Sequence, residues 1–177
     1  MPMGNLEFGA AVLLTGSTHM KVSSIFKLLK IPFIAKTTFN SIQKAYVAPV
    51  VNEAWNEHQT AVLAVLSDSR LRLCGDARCD SPGFSAKYGS YTVMDMGSGL
   101  ILDQQLIQVT EAGSSVAMET LGLERCLDLL ESYGLKIELL ATDRHVGIQA
   151  MLKRSYPESE HQFDVWHLAK NVGKRLR

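Results

Sequence analysis

Apolar positions along the chain fall into two textures. Up to about residue 68 they recur at helical spacing; from Leu71 onward they gather in short runs that alternate with further helical stretches. In the first part, "NLEFGAAVLLTG" predicts a helix closed by Gly16. "HMKVSSIFKLLKI" places Val22, Ile25, Phe26 and Leu29 on one helical face and stops before Pro32. "AKTTFNSIQKAYVAPVVNEAWNEHQTAVLAVL" predicts a long helix with Pro49 as a kink or a boundary.

The second part begins with "LRLCGDARCDSPG", a short apolar strand running into two aspartates and a Pro-Gly turn. "YGSYTVMDMGSGLILDQQLIQVT" predicts two strands around the turn "MGSG". In "SSVAMETLGLERCLDLLESYG", Leu123, Cys126, Leu127, Leu130 and Tyr133 form a helical stripe, with serines capping the front and Gly134 ending it. Strand "KIELLATD", helix "HVGIQAMLKRSY", strand "HQFDVW" and helix "HLAKNVGKRL" follow. Three strands and then alternating helices predict a mixed five-stranded sheet: an antiparallel triplet extended by parallel strands through right-handed crossovers. That element order is the one found in the ribonuclease H-like fold. The expected organisation is α/β, with an all-α region at 1–68 and the sheet domain at 69–177.

Composition changes this picture little. Eighteen basic residues cancel eighteen acidic ones, and three cysteines at unrelated spacing predict no disulfide framework and suit a reducing compartment. No Cys-x-x-Cys pair exists, which argues against zinc. No segment reaches the roughly 18 apolar residues a bilayer span requires, so no membrane partner is expected. Between Phe8 and Asn52, however, there are five lysines and no acid. Two short helices joined by "IPFIAKTT" are spaced like a helix-turn-helix, whose second helix would carry Lys36 and Lys44 into a major groove. The alternative is a helical subdomain whose lysines form its solvated face.

The candidate chemistry lies in aspartates at strand ends, where sites in open α/β sheets gather. Asp76 follows the first predicted strand, Asp143 the fourth, and Asp164 lies near the end of the fifth. If the first and fourth strands are neighbours, Asp76 and Asp143 converge, and a divalent cation relieves their repulsion. Two plainer readings stand beside this one. Thr142-Asp143 before a helix suits an N-cap. Asp80, in "CDSPG", is both a natural turn residue and a rival to Asp76. His145, just after Asp143, is placed to touch metal or phosphate, or, as the plainer reading, to face solvent at the helix start. His167 is either near a phosphate or a cap for the helix after it.

"GDARCDSPGFSAKYGSYTVMD", "LLATDRHVGIQAML" and "HQFDVWHLAKNVGKRL" together resemble the catalytic core of DDE transposases, in particular the Kolobok-like group of animal genomes and proteins domesticated from it. The resemblance covers about Leu71 to Arg177. It implies Asp76 and Asp143 as the first two catalytic, metal-binding acids, Mg²⁺ or Mn²⁺ as cofactor, and DNA as partner. It also implies His167 and Lys170 near the DNA phosphate, a homodimer and a nuclear location. The group's third acid lies farther downstream, so the expectation is an incomplete core that cleaves and joins DNA poorly. One alternative is a non-enzymatic module that binds DNA or protein. Another is a nuclease on RNA hybrids, which would draw on Glu119 or Glu124.

Overall fold

The computed structural model describes residues 2–67 and 69–165. The chain divides into two compact units, Met1–His58 and Gln59–Arg177, the division falling within the helix Ala48–Val65.

The first unit is wholly helical: α1 (Met3–Leu14), α2 (His19–Leu28), α3 (Lys36–Ile42), a π-helical stretch Gln43–Val47, and the start of α4 (Ala48–Val65). Its buried side chains are Val12, Phe39, Ile42 and Val47, and a cluster of partly exposed aromatic rings packs nearby. Phe8 meets Phe26 and Phe33 edge-on, with centroids 5.4 and 5.5 Å apart, and His19 Nε2 bonds the Ile34 carbonyl at 2.8 Å. Thr18 caps α2 by accepting the Lys21 N–H. The long helix read from the sequence is continuous through Pro49 but not uniformly α. Proline has no N–H to donate and crowds the carbonyl one turn back, and the wider π turn just before α4 absorbs that misfit.

The second unit continues from α4 into β1 (Arg70–Cys79), β2 (Tyr88–Asp95), β3 (Ile101–Gln108), a short α5 (Val109–Ala112), α6 (Ser115–Ser132), β4 (Lys136–Thr142), α7 (Val146–Ser155) and β5 (Glu160–Phe163). One five-stranded sheet runs β3-β2-β1-β4-β5. The first three strands are antiparallel, and β4 and β5 are parallel to β1. The unit is therefore α/β, a mixed five-stranded sheet with flanking helices. The expected last helix, with His167 and Lys170, lies outside the described residues.

Alternation sorts the sides of β1. Leu71 and Leu73 are buried, while Arg70, Arg72, Asp76 and Arg78 are exposed. Onto the buried side α6 lays Leu123, Cys126, Leu127 and Leu130, and α7 lays Ile148, Met151 and Leu152. This is the stripe the sequence predicts, except that Tyr133 is the C-cap and is 54% exposed. Ser114 caps the front of α6, and Gly134 closes its end at φ 75°.

Two glycines make room for Tyr91, one for its ring and one for its Cβ. A Cβ on Gly122 of α6 would stand 2.6 Å from Tyr91 Cβ, and one on Gly75 of β1 would stand 2.7 Å from Tyr91 Cε1. Tyr91 is thereby seated between sheet and helix, directly beneath the strand ends.

Candidate functional site

The register of the parallel strands builds the site. Leu73 lies beside Leu140 and Cys74 beside Ala141, and two residues farther along the two strands come Asp76 and Asp143. On β5, Phe163 pairs with Thr142, so Asp164 follows beside Asp143, and its N–H donates to the Thr142 carbonyl at 2.8 Å. A two-residue step returns a side chain to the same face. Three aspartates thus reach one rim from neighbouring strands, and all three line a cavity of about 580 Å³ with Cys74, Met94 and Phe163.

Asp76 does not follow the first strand, as the sequence suggests, but lies within it. The hairpin with β2 continues past Asp76↔Thr92 to Cys79↔Gly89. Gly75-Asp76-Ala77 has weak strand preference of its own and is held extended by its cross-strand partners. Asp76 accepts its neighbour Ala77 N–H at 2.9 Å.

Asp143 is not an N-cap. Helix α7 starts at Val146, and its cap is His145, whose Nδ1 accepts the Ile148 N–H at 3.3 Å. His145 is also not turned to solvent: its side chain is 18% exposed, and Nε2 lies 3.9 Å from Glu119 Oε2 on α6. Asp143 is left half-buried, two residues before the cap. Asp80 resolves the other way. It accepts the Lys87 N–H at 3.1 Å and the Ser81 hydroxyl at 3.3 Å, which closes its turn, and it does not line the cavity.

Negative charge accumulates at this rim, and neighbouring groups register it. Burial pushes the Tyr91 phenol up, and the carboxylates of Asp143 and Asp76 push it further. Burial also raises the Glu119 carboxyl; His145 opposes that shift, while Asp143 and Asp76 add to it. The Cys74 thiol is raised by burial, then by Asp164 and Asp95. Sequence reasoning gave no place at the site to Tyr91. It named Glu119 only for an RNA-directed nuclease. The one usable signal for Glu119 was its place near the start of α6, on a helix that must pack beside β1.

Hard divalent cations such as Mg²⁺ take one or two carboxylates plus water and phosphate oxygens. Asp76 and Asp143 meet that description. Among the described residues, no group of three or more His, Cys, Asp or Glu side chains is arranged to hold a metal ion. In the first unit, Lys36 opens α3 and Lys44 lies in the π stretch; both are exposed. Among the described residues, no helix is long and apolar enough to cross a membrane. No protein-family model and no curated protein matches this chain.

Proposed function

We propose that this is a transposase-derived, DNA-binding protein whose second unit is a ribonuclease H-like core of the DDE type, built for Mg²⁺- or Mn²⁺-dependent cleavage and transfer of DNA strands. The observation that carries this reading is the meeting of Asp76 and Asp143 at one cavity, from parallel neighbours β1 and β4. The strand order β3-β2-β1-β4-β5 supports it, because it joins an antiparallel triplet to parallel strands as that fold requires.

In this reading Asp76 and Asp143 hold the cation, which supplies Lewis acidity toward a phosphate oxygen. The chain's own contribution is placement. The sheet fixes both carboxylates, Tyr91 and the capped start of α7 support them from below, and Lys36 and Lys44 contact DNA from the first unit. His167 and Lys170 are proposed beside the phosphate. Asp76 and Asp143 would hold one ion, and Asp164 at the same rim is not assigned as a third ligand; a second ion misplaced by about 1 Å would cost roughly a hundredfold in rate. Slow cutting by this chain is the expected behaviour.

The test is a titration of Mn²⁺ against thermal stability. A concentration of about a hundred times Kd should add about 2.7 kcal/mol, and the gain should vanish in Asp76→Asn and Asp143→Asn. A midpoint indifferent to Mn²⁺ in the unaltered chain would leave the non-enzymatic module as the better reading. Strong plasmid nicking that disappears in Asp143→Asn would instead overturn the expectation of slow cutting.

A further inference from the structure

We infer that two copies of this chain associate through the outer face of α2 on one copy and the first half of α4 on the other. The contact owes nothing to the aspartates of the second unit; all of its residues belong to the first.

Helices in folded proteins are held chiefly by a packed apolar face. Among the described residues, α2 has no fully buried side chain, and α4 buries only Val62 and Leu63, both near its end. The side of α2 turned inward carries Val22, Ser23 and Phe26, which are half-buried. Its opposite side is apolar too. Met20, Ser24 and Leu28 run along it at i, i+4 and i+8, with Met20 74% and Leu28 84% exposed. Lys21 and Lys27 flank that stripe, one on either hand. Lys30 adds a third cation just past the helix end, at φ 58°, where glycine is the usual residue. A surface helix ordinarily turns a polar face outward; this one turns out an apolar stripe edged with lysines.

The start of α4 is its complement. Val50, Ala54 and His58 repeat the spacing i, i+4 and i+8 and are exposed, Val50 by 63%. Glu53 and Glu57 border this stripe, and α4 contains no Lys or Arg. Within residues 1–58 the acids are Glu7, Glu53 and Glu57, and none lies between Phe8 and Asn52. Each stripe is about 12 Å long at about 1.5 Å per residue. The small residues Ser24 and Ala54 sit at their midpoints, where two helix axes can approach closely. Both stripes are exposed, so neither covers the other within one chain. Pairing α2 with α2, or α4 with α4, sets like charges together. Pairing α2 with α4 sets lysines against glutamates while both stripes leave water. About a two-fold axis the contact is made twice, α2 to α4 and α4 to α2.

The experiment is sedimentation equilibrium of the full chain over a range of concentration and salt. Reversible self-association is expected, weakening as salt rises. Lys21→Glu with Lys27→Glu, and separately Glu53→Lys with Glu57→Lys, should each weaken it roughly ten- to a hundredfold. Mixing these two variants should restore it, since each then meets the opposite charge at both contacts. Leu28→Ala should weaken association about tenfold. Because Leu28 is exposed in the single copy, the thermal midpoint at low concentration should hold. Lys87→Glu with Lys153→Glu makes the same change of charge at exposed positions of the second unit and should leave association unmoved. The pairing is overturned if the unaltered chain is monomeric at every concentration, if the reversed pairs associate like the Lys87 and Lys153 control, or if the mixture fails to associate. Phosphatidylserine vesicles that bind a monomeric chain, and lose it on reversal of Lys21 and Lys27, would give the face to a lipid surface instead.

Discussion

The two ends of the parallel strands use charge in opposite ways. At the amino ends of β1 and β4, a cavity of about 440 Å³ sets Arg70 and Lys136 among Glu131, Glu138 and Glu158. At the carboxyl ends, a cavity of about 580 Å³ carries three aspartates and, among the described residues, no base. Both cavities rest on the same strands and the same core. Intermingled exposed charges screen one another and contribute little either way. Asp76 and Asp143 bring like charges to one rim, which a bound cation would offset in the functional reading proposed above.

Substitutions at six positions would break or sharpen that contrast. The largest effect is expected from Leu140→Ala, since Leu140 is 1% exposed and sits beside Leu73 under both ends. It should cost about 2–5 kcal/mol in chemical denaturation. A loss confined to one end, seen by amide exchange, would show that the ends do not share a core. Next comes Gly75→Ala, whose Cβ would stand 2.7 Å from the Tyr91 ring. A cost of about 1–3 kcal/mol is expected, with the Mn²⁺ response reduced and the amino-end amides unchanged.

Smaller and of opposite sign is Asp76→Asn or Asp143→Asn, which should raise metal-free stability by up to about 1 kcal/mol as like charges are removed. Glu131→Gln at the other end should give no gain. If both ends gained equally, the contrast drawn here would be void. The smallest effect belongs to Glu119→Gln. Burial raises the folded-state carboxyl above the ordinary 4.5, so the folded chain holds this proton more tightly than the unfolded chain. Stability from this group is therefore present at low pH and declines as pH rises above about 4.5 toward the folded value. The Gln variant should lose that decline. Its thermal midpoint should match the unaltered chain near pH 4 and exceed it slightly at pH 7; a gain that grows toward acid would reverse the assignment.

Much of this architecture is legible in the residues themselves. Periodicity located α6 and its buried stripe, and "MGSG" marked the β2–β3 turn, where Asp95 accepts the Ser98 N–H at 2.7 Å. The order of elements implied the five-stranded mixed sheet. What escaped was set by distant partners. Gly-Asp-Ala-Arg-Cys looks like a turn, and only β2 opposite makes it the second half of β1. A histidine is a less expected cap than Thr-Asp, and Glu119 across the helix interface helps place it. Glycines at 75 and 122 read as weak points in a strand and a helix. Their shared neighbour, Tyr91, is 16 residues away from one and 31 from the other along the chain.

That shared slot ties three distant positions into one unit of inheritance. A side chain gained at 75 crowds the ring at 91, whereas one gained at 122 crowds the Cβ at 91 and the end of Ile107. Divergent copies of this chain should therefore gain a side chain at 75 together with a smaller residue at 91, while 122 stays glycine whatever the size of residue 91.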